Sequence, residues 1–195
     1  MTAHDPIAIA LRVAKAIESV GGAYFVGGSV ASSLQGDPRS TNDIDIVVSL
    51  AANKVDALAT ALGPDFEVDR EMLRQALLAR TSANAFFLPV LTKIDFFGVG
   101  SSEFDESEFA RRSPMVVGEA EETLVVKTPE DSVLRKLLWF RDGGGVSDKQ
   151  WRDVVAILRV SRASLDVAYM TGWALRLGVA AELTRAEGEA TSGSS

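Results

Sequence analysis

The sequence predicts an α/β (α+β) protein whose first part alternates strands with helices and whose last third is helical throughout. Three observations carry that expectation. Up to about residue 126, short apolar runs bounded by glycines and polar turns recur between segments with helical spacing. One of those runs, residues 43–48 (DIDIVV), alternates acid and apolar side chains and then becomes wholly apolar. That is the pattern of a strand buried on one face at its start and on both faces further along. From Thr128 the apolar period becomes that of a helix and strand-like runs cease.

The elements follow in order. Residues 6–20 repeat apolar side chains at helical spacing and stop at Gly21-Gly22. A short strand, AYFV, runs into Gly27-Gly28-Ser29, and VASSL reads as a short helix ending near Gly36. Residues 37–42 (DPRSTN) form a turn-rich loop before the 43–48 strand. A helix is expected over 51–62, a short strand at FEV, and a second helix over 70–80. FFLPV and KIDFFGV read as strands, with Pro89 placing the first at an edge or a strand end. Residues 101–112 read as helix and loop, and 114–126 as two short strands around Gly118-Glu119.

In TPED, Thr128 is the expected N-cap, Pro129 takes the first helical position, and Glu130 and Asp131 favour the positive end of the helix dipole. That helix runs to about Arg141 and ends at Gly143-Gly144-Gly145. Ser147 caps a second helix to about Val160, a third covers 163–177, and a short fourth covers 180–187. The last residues, EGEATSGSS, lack an apolar anchor and are expected to be disordered. The organisation is one structural unit with two subregions, 1–127 and 128–187, and a tail over 188–195.

Composition removes several chemistries. There is no cysteine, so disulfides, thiolate catalysis and cysteine-ligated metals are absent. The single histidine, His4, lies near the start of the chain, which leaves no basis for a serine–histidine triad or a histidine-rich metal site. Asp5, Arg12, Lys15 and Glu18 interrupt the opening residues, unlike a signal peptide, and no run approaches 18 apolar residues. A cytoplasmic protein with no membrane association is the expectation. Catalysis is left to carboxylates, hydroxyls, backbone amides, Lys and Arg. The formal charge of −7 disfavours coating nucleic acid by charge alone. That total conceals a basic surplus in residues 132–187, with nine bases against six acids. Such a half suits a polyphosphate.

The carboxylates give the chemistry its direction. Asp43 and Asp45 are two apart on a strand, so their side chains leave the same face. Two carboxylates a few ångströms apart beside apolar groups must bind a proton, a basic side chain or a metal. A third acid, Asp95, interrupts the apolar run Ile94-Asp95-Phe96-Phe97. If its strand pairs beside 43–48, three oxygen donors converge and suit Mg²⁺ or Mn²⁺. Taken alone, Asp95 reads first as a surface residue at a strand end; the acid pair and the glycine turn upstream count against that. Upstream, VGGSV brings a strand into two glycines and a hydroxyl at the start of a helix, where backbone amides favour an anion. A tight turn explains an isolated GGS as well. Its weight comes from position, thirteen residues ahead of the aspartate pair.

Gly28-Ser29, then Asp43-Ile44-Asp45, then Asp95 on a later strand resemble the nucleotidyltransferase superfamily, which includes DNA polymerase β, CCA-adding enzymes and antibiotic-modifying adenylyltransferases. PRSTNDIDIVV strengthens the resemblance, because an Arg and a Thr commonly precede the acid pair in that family. TPEDSVLRKLLWFRDGGGVSDKQWRDVVAIL resembles small bacterial members related to the AbiEii toxin group. The resemblance covers roughly residues 20–180. It implies a mixed-sheet nucleotidyltransferase core over 1–127 with a C-terminal helical bundle packed on it. It implies transfer of a nucleoside monophosphate from an NTP to a hydroxyl or phosphate acceptor, with release of pyrophosphate. Asp43, Asp45 and Asp95 are the implied catalytic metal ligands, and Gly27, Gly28 and Ser29 the implied phosphate turn.

Other residues have two readings each. Arg39 either contacts phosphate from its loop or is a solvated loop arginine. Lys136 lies among Val133, Leu134, Leu137 and Leu138, either as a snorkelling flank lysine or as a phosphate contact. Asp153 is four residues from Lys149, which suits a surface helix pair; the AbiEii resemblance instead adds Lys136 and Asp153 to the nucleotide site. Arg141, Arg152 and Gly143–Gly145 are candidates for the acceptor opening, while Trp139, Trp151 and Trp173 read as packing, with Trp139 the best exception. The acceptor is an RNA end, a protein side chain or a small molecule. Two alternatives accompany an active transferase: a toxin-like member of a two-gene system with an antitoxin-like protein partner, and a catalytically silent nucleotide-binding or interaction module. Intact Asp43, Asp45 and Asp95 argue against silence.

Overall fold

A computed structural model of the chain describes residues 5–38, 41–118 and 121–192. It divides into two compact units: Met1–Val30 with Ser40–Lys127, and Ala31–Arg39 with Thr128–Ser195.

In the first unit, α1 (Pro6–Ser19) opens at Asp5, whose carboxylate accepts the Ile7 amide at 2.8 Å, with Pro6 in the first turn. Ile9, Val13 and Ile17, four residues apart, form its fully buried stripe. There follow β1 (Ala23–Val26), α2 (Gly28–Gln35), β2 (Asp43–Ser49), α3 (Val55–Leu62), β3 (Phe66–Val68), α4 (Arg70–Ala79) and β4 (Ser82–Phe87). Then come β5 (Thr92–Gly98), α5 (Glu103–Arg111), β6 (Ser113–Val117) and β7 (Glu122–Val126). The seven strands make one mixed sheet in the order β3-β4-β5-β2-β1-β7-β6. β2 runs parallel to β5 and β1 parallel to β7, and the remaining neighbours are antiparallel.

The two faces of the sheet differ. Ile44, Ile46, Ile94 and Phe96 are buried on one face to 1% exposure or less, as are Ala85 and Phe87 of β4. The intervening residues of β2, β4 and β5 leave the opposite face, where Phe25, Val47 and Phe97 share a row by register. Phe109 of α5 meets Phe25 there with ring centroids 5.9 Å apart. Beyond that row the same face carries Asp45 and Asp95.

In the second unit, α6 (Pro129–Asp142), α7 (Asp148–Ser161), α8 (Val167–Leu177) and α9 (Ala180–Ser192) follow one another. Thr128 caps α6 by accepting the Asp131 amide at 3.2 Å and donates its hydroxyl to Asp131 Oδ2 at 2.7 Å. Asp131, fully buried, also accepts the Tyr169 hydroxyl at 2.7 Å, and Glu130 accepts the Asp166 amide at 2.7 Å. The acids placed at the start of α6 for its dipole therefore also tie it to the start of α8. Residues 31–38 belong with these helices for a physical reason. Ser132 donates to Gln35 Oε1 at 2.6 Å, Arg159 pairs with Asp37 at 2.7 Å, and a Cβ on Gly36 would lie 3.2 Å from the Ile157 amide nitrogen.

Several elements differ from the sequence expectation. The helix after the glycine turn starts at Gly28 itself, not at VASSL. β4 is Ser82–Phe87 and ends before Pro89, because its alternation is made by small and polar residues (SANAFF) and the apolar Leu88–Leu91 stretch is the turn. The third C-terminal helix starts at Val167, with Asp166 accepting the Tyr169 amide at 2.9 Å as its cap. α9 runs on to Ser192, into the stretch expected to be disordered. Ala186 and Ala190 are buried, and Glu189 accepts the Trp151 indole N–H at 2.7 Å, so small residues and one acid supply the anchor that the composition hides. Among the described residues no helix is long and apolar enough to cross a membrane.

One ion pair lies in the interior of the first unit. Lys127 and Glu108 meet at 3.1 Å with side chains only 5% and 6% exposed. Removing one member of such a pair strands the other charge in a poorly solvating interior. Glu108→Gln is therefore expected to lower unfolding free energy by about 3–5 kcal/mol in a urea titration. Combining Glu108→Leu with Lys127→Met is expected to recover part of that loss, since neither member of the pair is then left charged without the other.

Candidate active site

Asp43 and Asp45 are two apart on β2 and share a face. The parallel register sets Lys93 of β5 beside Asp43 and Asp95 beside Asp45. Register partners project to the same side of a sheet, so four charged side chains form a two-by-two block. Neighbouring strands stand about 4.8 Å apart and alternate residues about 6.6 Å along a strand. Asp43 is exposed and the other three are partly buried. The strands bearing the three carboxylates are thus adjacent, as their shared pattern of acids within apolar runs predicts.

The fourth member of the block, Lys93, is a residue the sequence reading passes over. Its Nζ donates to Asp95 Oδ2 at 2.9 Å. This hydrogen bond is the main reason its ammonium is held above the usual lysine range; the negative charges of Asp95, Asp43 and Asp45 add to it, against a loss of solvation. The signal was available: Lys93-Ile94-Asp95 has the same two-residue spacing that puts Asp43 and Asp45 on one face.

The glycine turn joins this block directly. The Gly27 amide donates to the Asp45 carbonyl at 2.9 Å. Gly28 takes a left-handed φ of +53°, and a Cβ there would lie 1.6 Å from Asp45 Oδ2. No side chain fits between this backbone and the carboxylate, which is why glycine stands here. α2 begins at Gly28, and buried Ser29 lies in its first turn, where amides are not consumed by the helix ladder and favour an anion. A Cβ on Gly27 would lie 3.8 Å from Lys127 Nζ, so the buried ammonium of the Lys127–Glu108 pair also flanks the turn. Lys127 is the second residue the sequence reading passes over.

The donor set suits a hard divalent cation, with three carboxylates on adjacent strands and the turn pressed against one of them. As the side chains stand, no three His, Cys, Asp or Glu residues among those described form a group able to hold a metal ion. Asp95 is turned to Lys93 instead.

Lys136 and Asp153 lie in the second unit. Lys136 is buried, which corrects the snorkelling reading, and its Nζ donates to Asp153 Oδ2 at 2.8 Å and to Gln150 Oε1 at 3.1 Å. Asp153 is likewise buried, where the surface reading places it in an exposed pair with Lys149. Helical spacing held the clue, because position 136 is three residues from Val133 and four from Phe140, both buried. Beside Asp153, a cavity of about 500 Å³ is lined by Ser32, Asp37, Pro38, Lys149, Arg152 and Ala156. Arg152 thus lines an opening, whereas Arg141 donates to the carbonyls of Leu177 and Gly178 at the end of α8. Trp151 packs on Phe140 at 5.0 Å and Trp173 on Tyr169 at 6.4 Å, while Trp139 is 44% exposed. Arg39 lies outside the described residues.

No protein-family model and no curated protein matches the sequence. Solved structures do match. The chain is similar to an antigenic nucleotidyltransferase-like protein from Paracoccidioides brasiliensis, with a TM-score of 0.58 and 18% identity over 94% of this chain and 92% of that one. It is also similar to the antibiotic-resistance factor ANT(2'')-Ia, with a TM-score of 0.52 and 12% identity over 92% of this chain and 95% of that one. At these identities the likeness is one of fold: this chain has the mixed-sheet α+β fold of nucleotidyltransferase-like proteins.

The turn geometry separates its two glycines. Gly28→Ala is expected to destabilise by at least about 1–2 kcal/mol, from the left-handed backbone alone, and to displace the turn from Asp45. Gly27→Ala, whose Cβ would approach its nearest neighbour at 3.4 Å, is expected to melt close to the wild type. Thermal unfolding of the two variants measures the contrast.

Proposed function

We propose that this chain is a nucleotidyltransferase that uses Mg²⁺ or Mn²⁺, takes a nucleoside monophosphate from an NTP and passes it to a hydroxyl or phosphate acceptor. The observation that carries this is the joining of turn and carboxylates: Gly28 lies against the Asp45 carboxylate, and the sheet register sets Asp95 beside Asp45. An anion-binding turn touching an acid pair has little purpose unless a cation and a phosphate meet there.

The chain's own groups divide the work. The amides of Gly27 and Gly28 and the Ser29 hydroxyl hold the β- and γ-phosphates. Asp43, Asp45 and Asp95 are the ligands for the divalent cation, which supplies neutralisation of the phosphates and stabilisation of the entering and leaving oxygens. The strand order β5-β2-β1 puts Asp95 on the far side of β2 from the turn that follows β1. In-line displacement needs the acceptor opposite the leaving pyrophosphate, so the acceptor approaches from the Asp95 side. Its oxygen bonds to the α-phosphorus, the bond from that phosphorus to the bridging oxygen breaks, and the acceptor proton passes to an Asp95 carboxylate oxygen. Pyrophosphate leaves from the turn.

Arg39 belongs to the proposal as a loop cation for phosphate. Lys136 and Asp153 enter it together, because their 2.8 Å bond makes the role of each depend on the other. That bond also favours the narrower AbiEii-like reading, in which a lysine and a later aspartate act as a set; an antitoxin-like partner belongs to that reading alone.

Calorimetric titration with each of the four NTPs, with and without Mg²⁺, tests the proposal first. Metal-dependent binding of at least one NTP is expected; binding of none by folded protein would reject it. Radiolabelled NTP incubated with cell extract then assigns the acceptor by whether label enters RNA, protein or a small molecule. Asp45→Asn is expected to lower that transfer about a hundred-fold or more while circular dichroism stays that of the wild type.

A further inference from the structure

The block of four charged side chains holds one base among three acids. Lys93 is beside Asp43 by register, two residues from Asp95 on the same face, and diagonal to Asp45. Its ammonium is 2.9 Å from Asp95 Oδ2, with the lysine side chain 37% exposed and the aspartate 13% exposed. A carboxylate this shielded, next to two others, gains from a positive partner at hydrogen-bond distance. Solvent reaches the lysine end of the pair, so the long side chain can swing away while Asp95 stays in place on its strand.

We propose that Lys93 is the resident counter-cation of the carboxylate cluster: it holds Asp95 while no divalent cation is bound and is displaced from that carboxylate when one binds. This rests on Asp43, Asp45 and Asp95 being the metal ligands. The exchange replaces one positive charge by two among three negative ones, and each carboxylate oxygen that accepts from the ammonium is one the cation would take. Lys93 is therefore a positioning residue that competes for the site.

Calorimetric titration of the full-length protein with Mn²⁺, in the absence of NTP, is the test, on the wild type and on Lys93→Gln, Lys93→Arg, Asp95→Asn and the Lys93→Gln, Asp95→Asn double variant. Lys93→Gln is expected to bind Mn²⁺ about five-fold more tightly, the scale of one partly exposed ion pair. Lys93→Arg should stay near the wild type. The gain should vanish in the Asp95→Asn background, where there is no carboxylate to release; a gain that persists there would show a general charge effect and overturn the proposal. In chelator Lys93→Gln should melt below the wild type, because Asp95 has lost the ammonium that holds it, and Mn²⁺ should restore it. Equal Mn²⁺ affinity in wild type and Lys93→Gln would overturn the role of Lys93 and leave the metal site standing. Absence of Mn²⁺ binding in every variant, with or without NTP, would reject the metal site itself and this inference with it.

Discussion

The parallel pairing of β2 with β5 is the constraint on which the candidate site depends. These strands are not neighbours in the chain; α3, β3, α4 and β4 intervene. Their register sets two carboxylates, Asp45 and Asp95, side by side, which by itself is unfavourable. Like charges directly opposite on a sheet cost a fraction of a kcal/mol to about 1 kcal/mol. Against that stands the other face, where Ile44, Ile46, Ile94 and Phe96 are all buried. Each such side chain contributes about 1.5–3 kcal/mol. A slip of one residue would turn Asp95 into the core and Ile94 out of it. Core burial therefore wins, and it forces the acids together on the open face.

The second constraint is backbone contact between the glycine turn and β2. β1 pairs antiparallel with β2 from Ala23–Ser49 to Val26–Ile46, so the chain leaving β1 emerges at Asp45. The Gly27 amide extends the ladder by one more bond to the Asp45 carbonyl. Gly28 then turns left-handed against the carboxylate and starts α2. The glycine turn and the acid pair are separated by thirteen residues in sequence, yet the backbone of Gly28 lies against the Asp45 carboxylate in space.

Charge pairing is the third theme. Lys93 with Asp95 joins two residues of one strand, Lys127 with Glu108 the residue after β7 to a helix, and Lys136 with Asp153 two helices. The last two pairs are almost fully buried, where an unpartnered charge would be far more costly than the pair. The basic surplus of residues 132–187 is smaller in effect than its count, since Arg159 is paired with Asp37, an acid from outside that stretch.

What the sequence determined by itself is local. The two-residue spacing of Asp43 and Asp45, a glycine turn leading into a helix, the Thr128-Pro129 cap and the change of period after it are all written in a few adjacent residues, and the structure has each. The fold class was legible for the same reason, because strand and helix periods need only a short window. Tertiary structure decided what depends on distant partners. Residues 31–38 joined the helices through Gln35, Asp37 and Gly36. α9 extended to Ser192 because Ala186, Ala190 and Glu189 found neighbours on other helices, a fact no composition of Ala, Glu and Gly reveals. β4 was hidden because Ser82 and Asn84 alternate with alanines, and only its neighbours β3 and β5 make that a strand. Above all, the partners of Lys93, Lys127 and Lys136 were settled by register and packing. A sequence counts charges, but which charge stands beside which is fixed only when the strands and helices bury their apolar faces.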